Sequence, residues 1–193
     1  MTRKTWFVTG AASRLGADIV RQALAAGLCV VATDVDPLAV LQRIGPAADD
    51  RLLALPLDEV DAFEVGIAVK AALARFGRID VLVHGAAACS PQREFEPRAP
   101  RRDFSAAVRA LFNVTRGVLE PMRAQRGGRI HHLVPPPGHQ GGPALFSIAG
   151  FCDAVGVDVA PFGIAVSAVE SHQLPALLCT ASGSDRGEVL AAA

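Results

Sequence analysis

Apolar runs of strand length alternate along this chain with longer stretches that carry apolar residues at helical spacing. Runs such as Trp6-Phe7-Val8 and Val81-Leu82-Val83 present no polar residue to water, so the strands they form must be covered on both sides. That is the pattern of βαβ units, a parallel sheet layered between helices. The spacing predicts strands over Thr5–Val8, Leu28–Thr33, Arg51–Pro56, Ile79–Val83, Arg129–Val134, Ile164–Val169 and Glu188–Ala192. Helices fill the gaps, the clearest over Leu15–Ala26, Val60–Phe76, Arg102–Arg126 and Ala144–Ala160. No repeat or linker interrupts the 193 residues, and a content of 51% hydrophobic and 20% charged residues supplies the core of one domain spanning 1–193.

Nineteen basic and nineteen acidic residues give a formal net charge of zero, which argues against nucleic acid or an anionic membrane surface as a partner. The four cysteines, Cys29, Cys89, Cys152 and Cys179, have no CxxC spacing and suit a reduced compartment, so the cytoplasm is the expected location. The apolar stretch after Arg3 and Lys4 is broken by Arg14 and Asp18, too soon for a membrane span and without a signal-peptide cleavage site.

Thr9-Gly10-Ala11-Ala12-Ser13-Arg14-Leu15-Gly16 follows the first strand and opens the first helix, the context in which glycines let backbone approach a pyrophosphate at a helix N-terminus. The second strand leads to Asp34, whose carboxylate can accept hydrogen bonds from ribose hydroxyls and repel a 2′-phosphate, favouring NAD over NADP. Asp58 is placed to cap the helix that starts near Val60. Together with Leu57-Asp58, Phe76-Gly77-Arg78-Ile79-Asp80-Val81-Leu82-Val83 and Phe112-Asn113-Val114-Thr115-Arg116, these residues resemble the short-chain dehydrogenase/reductase family over nearly the whole chain. The resemblance implies a single α/β domain of Rossmann type, a doubly wound parallel sheet of about seven strands with NAD(P) at the strand carboxyl ends. It also implies dimers or tetramers built on two long helices, and it gives Asp58 a second reading as a contact to adenine.

Within the cofactor motif the chain departs from that family. Arg14 stands where the family has the middle glycine, so a Cβ and a long side chain either strain the turn or fill the pyrophosphate space. The alternative makes its guanidinium a phosphate ligand. Impaired or absent dinucleotide binding is the expectation, with Gly10, Arg14, Leu15, Gly16, Asp34 and Asp58 as a vestigial NAD site. The family's Asn-Asn-Ala-Gly becomes His84-Gly85-Ala86-Ala87. Its catalytic asparagine, serine, tyrosine and lysine fall on Ala107, Pro135, Phe146 and Gly150. Proline offers neither hydroxyl nor amide hydrogen, and a phenyl ring has no proton to transfer. The sequence contains no tyrosine, and its lysines are Lys4 and Lys70, so no other register of the match restores the couple.

After Val166-Ser167-Ala168-Val169 the family's substrate lid is replaced by Glu170-Ser171-His172-Gln173-Leu174-Pro175, so a truncated lid is expected. His131, His132 and His139 invite a metal or general-base role, but adjacent histidines on a strand point to opposite faces, and no metal site is expected. Cys152, on an apolar helix face, reads as core. The reading that follows is a catalytically inactive, family-like subunit that joins an active short-chain dehydrogenase through the two long helices, in an NAD-dependent oxidoreductase acting on hydroxyacyl-type substrates. Phe104, Val108, Leu111, Val114, Val118 and Leu119 form an apolar stripe that serves either a partner or the chain's own core. Two alternatives stay open: a cofactor-independent lyase or isomerase built around His139 or His132, and an NAD-sensing regulator.

Overall fold

The computed structural model describes residues 3–45, 50–85, 100–134 and 142–170 and position 173, the side chains of 100–104 and 142–147 excepted. Six strands form one sheet: β1 (Thr5–Thr9), β2 (Cys29–Asp34), β3 (Leu52–Pro56), β4 (Val81–His84), β5 (Gly128–Val134) and β6 (Ile164–Glu170). Their order is β3-β2-β1-β4-β5-β6 and every pairing is parallel. The connections carry five helices, α1 (Arg14–Ala25), α2 (Pro37–Ile44), α3 (Ala62–Phe76), α4 (Pro100–Gln125) and α5 (Gly142–Val159). The expected seventh strand, Glu188–Ala192, lies outside the described residues.

Side-chain alternation along the strands sorts the core into two layers. Trp6, Val8, Val30, Ala32, Val81 and Val83 pack with Ile19, Val20, Ala23 and Leu24 of α1 and Val40 and Ile44 of α2. Phe7, Val31, Leu82 and Ile130 face the other way, against Val65 and Val69 of α3, Val114, Val118 and Met122 of α4 and Val159 of α5. The stripe on α4 therefore belongs largely to the chain's own core: Leu111, Val114 and Val118 are buried against the sheet side, while Phe112 is 55% exposed.

Local chemistry sets the helix ends. Ser13 Oγ accepts the Gly16 N–H at 2.9 Å and starts α1, and Asp36 Oδ1 accepts the N–H groups of Leu38 and Ala39 to start α2, with Pro37 already fixed for the first helical position. The expectation that Asp58 caps the next helix is corrected: Asp61 is the cap, accepting from Phe63 at 2.7 Å, and α3 begins at Ala62 rather than near Val60. Asp58 Oδ1 accepts instead from Val60 N–H at 2.9 Å within the preceding turn, and Glu64 Oε2 closes that turn from the helix side on Asp58 N–H at 2.7 Å.

Candidate functional site

The strand order reverses between β1 and β4, which opens a crevice at the carboxyl ends of these strands. Gly10 takes φ +64° to leave β1, and Ser13 N–H donates to Gly10 O at 3.0 Å across the turn. A Cβ at Gly16 would lie 2.2 Å from Gly10 O, so the turn and the first coil of α1 fit together only with glycine there. The loop is also tied to β2: Ala11 N–H donates to Thr33 O at 3.0 Å, and Ala12 N–H to Asp34 Oδ2 at 3.0 Å. Asp34 is half-buried and its carboxylate, expected to meet a ribose, also braces the glycine loop. Across the crevice, Gly85 N–H donates to Thr9 Oγ1 at 3.3 Å.

Arg14 does not strain this loop. It is the first residue of α1 and is exposed, and among the described residues only Arg126 outside glycine has a positive φ. The strain expected of a Cβ at the family's middle glycine is thus corrected, because position 14 already has right-handed helical geometry, in which any L-residue is at ease. Leu15 packs half-buried against the α1 layer, and Asp58 is exposed at the end of the β3–α3 turn.

Of the four positions that resemble the family's catalytic set, Ala107 is exposed on α4 and Gly150 is exposed on α5, where an added Cβ would meet no atom within 4 Å. Phe146 lies in α5 with its side chain outside the described residues, as do Pro135 and His139 entirely. Cys152 is buried, and burial followed by the neighbouring Asp153 carboxylate pushes its thiol up to about 12, so it carries no thiolate near neutral pH.

His131 and His132 point to opposite faces as their adjacency on β5 requires. His131 Nδ1 lies 2.9 Å from Ser167 Oγ on β6. His132 enters the α3–α4–α5 layer, where its Nδ1 meets His84 Nδ1 at 3.1 Å and its Nε2 meets Thr115 Oγ1 on α4 at 3.2 Å. His84 Nε2 in turn lies 3.2 Å from Glu59 Oε2. Sequence reasoning did not single out Glu59 or Thr115, and treated His84 only as a lost asparagine. The signal for the pair is its register, since β4 and β5 set His84 directly opposite His132. Among the described residues no group of three or more His, Cys, Asp or Glu side chains converges as a metal site, and no helix is long and apolar enough to cross a membrane.

A parallel sheet covered on both faces, with a glycine turn running into a helix beside the switch in strand order, places this chain among the doubly wound nucleotide-binding α/β proteins. It belongs to the short chain dehydrogenase family, which it matches over residues 4–175. It is 30% identical over 178 residues to the oxidoreductase BOA17 of Botryotinia fuckeliana (strain B05.10), covering 86% of this chain and 64% of that protein. It is also 30% identical over 185 residues to the oxidoreductase UcpA of Escherichia coli (strain K12), covering 88% and 68%. A short-chain dehydrogenase from Streptomyces avermitilis superposes with a TM-score of 0.73 at 28% identity, over 88% of this chain and 65% of that one. The chain thus spans about two thirds of the length of these relatives, 64% in the first case.

Proposed function

We propose that this chain is an oxidoreductase-family subunit without hydride-transfer chemistry of its own, which assembles with an active short-chain dehydrogenase to form an NAD-dependent enzyme for hydroxyacyl-type substrates. One observation carries the reading: the sequence has no tyrosine, and no lysine beyond Lys70, so the acid/base couple of the family has no side chain to form it. The open space at Gly150 on α5 agrees with this, since the family lysine would project from that position. The helices are retained nonetheless, and they keep apolar groups outside the core, with Phe112 55% and Val157 77% exposed. Phe112 stacks edge-on against Phe151 of α5 at 4.8 Å between ring centroids, which makes a preformed aromatic seam for a partner helix.

The purified chain should oxidise NADH no faster than a no-protein control with ketone and 3-ketoacyl thioester substrates. Co-expressed with a catalytic homologue from the same organism, it should elute as a mixed assembly whose mass includes both chains. Val157→Glu should break that assembly without moving the thermal unfolding of the chain itself, Val157 being 77% exposed. Turnover of about one per second by the chain alone, or a homodimer that ignores the homologue, overturns the proposal.

An NAD-sensing role is the second reading, and the unstrained glycine loop favours it. Arg14 leaves the backbone turn intact, so its effect on a dinucleotide is that of its side chain at the pyrophosphate position. Calorimetric titration separates the two possibilities: tighter NAD binding in Arg14→Gly means the side chain fills the site, whereas weaker binding means the guanidinium grips phosphate. A lyase or isomerase centred on His132 is the least supported reading, because His132 is 1% exposed and both its ring nitrogens are engaged.

A further inference from the structure

We propose that Glu59, His84, His132 and Thr115 form an acid-release latch: a hydrogen-bonded chain that ties β4 to β5 and α4 while its two imidazoles hold no more than one positive charge, and that parts when both are protonated. His84 and His132 are 7% and 1% exposed and stand opposite each other in the parallel register of β4 and β5. A carboxylate accepts only, so His84 Nε2 must donate to Glu59 Oε2 across 3.2 Å. The two Nδ1 atoms, 3.1 Å apart, then share a single hydrogen between them.

Two proton counts satisfy every link. In the neutral chain, Thr115 O–H donates to His132 Nε2, His132 Nδ1–H donates to His84 Nδ1, and His84 Nε2–H donates to Glu59. One added proton reverses the inner links: His132 Nε2 takes a proton and donates to Thr115 Oγ1, while the hydrogen between the rings moves onto His84 Nδ1 and is accepted by His132 Nδ1. The positive charge then lies on His84 beside the Glu59 carboxylate. A second proton leaves two N–H groups facing each other with no acceptor, and two like charges in rings whose centroids are 5.2 Å apart.

A second charge would fall beside a hydroxyl and an aromatic ring. From α4 His132 receives the Thr115 hydroxyl, and from α5 the edge of Phe151 at 5.7 Å. Its neighbour on β5, His131, is a further potential cation turned to the other face. Glu59 stands in the β3–α3 turn, where Asn113 Nδ2 of α4 donates to the Glu59 and Val60 carbonyls at 3.2 and 2.8 Å, and it meets His84 Nε2 at the outer end of the pair. Burial, then His84, then His131 push His132 well below the ordinary histidine value of 6.5. The latch is therefore fully closed above the unfolded value and weakens as pH falls below it. Because Phe151 of α5 rests on His132, with 5.7 Å between ring centroids, release of the pair loosens α5 against the sheet.

Histidine nitrogen NMR of the whole chain between pH 8 and pH 5 tests the arrangement without any substitution. The expected result is one hydrogen shared between the Nδ1 atoms of two imidazoles, with a coupling between the rings that is present at pH 8 and lost as pH falls. Stability gives an independent reading in a His131→Gln background, which removes the other buried imidazole. From pH 7.5 to 5 the unfolded-to-folded ratio at fixed urea should rise at least about tenfold more with the pair present than after His84→Asn and His132→Asn. If the paired asparagine variant does not fold, the NMR titration of the unmodified chain decides alone. Two imidazoles without that coupling at pH 8, or equal pH dependence with and without the pair, overturn the proposal.

Discussion

His131 has an acid sensitivity separable from that of its neighbour. Burial first, and Arg129 second, pull its imidazole down to about 4 from the ordinary 6.5, so the folded chain holds it neutral where the unfolded chain would protonate it. The contribution to stability is complete above the unfolded value and is lost as pH falls from 6.5 toward 4. The loss amounts to about 3 kcal/mol at 1.36 kcal/mol per unit. Urea unfolding followed by the fluorescence of Trp6, the single and fully buried tryptophan, should show the pH dependence of His131→Gln shallower than that of the unmodified chain by about this amount. At this scale the sequence was legible where one residue type answers the question and opaque where several must meet. The missing tyrosine needs only a count, whereas the histidine chain depends on bringing together Glu59, His84, Thr115 and His132, which no local pattern connects.

The start of α3 shows how one carboxylate among several becomes a cap. Asp58, Asp61 and Glu64 all stand near this helix end, yet Asp61 alone accepts from the second and third helical N–H groups, at 2.7 and 3.4 Å. Asp61→Ala should cost about 1 kcal/mol in a denaturant midpoint, and Asp58→Ala about 0.5 kcal/mol or less, since the latter loses one bond in an exposed turn. Helices α1, α3, α4 and α5 and strands β1 to β6 were readable to within one or two residues where two-sided burial left runs without polar interruption. Helix α2 was not singled out because only Val40 and Ile44 are buried, while Leu38 and Leu41 are 66% and 44% exposed, so its apolar residues form no single stripe. The α4 stripe had two readings in sequence because a core face and a partner face carry the same residue types. Burial distinguishes them by enclosing Leu111, Val114 and Val118 of the stripe while Phe112 beside it stays outside.

At the scale of the whole molecule, the parallel sheet and the turn into α1 were foreseeable from alternation and from the glycines. The strand order was not, since period and composition do not say that β1 ends between β2 and β4. That order has a consequence for how the chain comes into being. β1 is synthesised first but one of its edges waits for β4, whose partners Val81, Leu82 and Val83 follow Trp6, Phe7 and Val8 by 75 residues in register. Until then β1, β2 and β3 form a partial sheet with an apolar edge unpaired, the condition in which strands find wrong partners. Ribosome-bound chains stalled with β4 still unexposed should be digested readily in a pulse of protease, and those with β4 and the following helix released should gain protection across β1 to β3 together. The sheet's own centre is thus a checkpoint in time: the nascent chain commits to its fold only when β4 arrives.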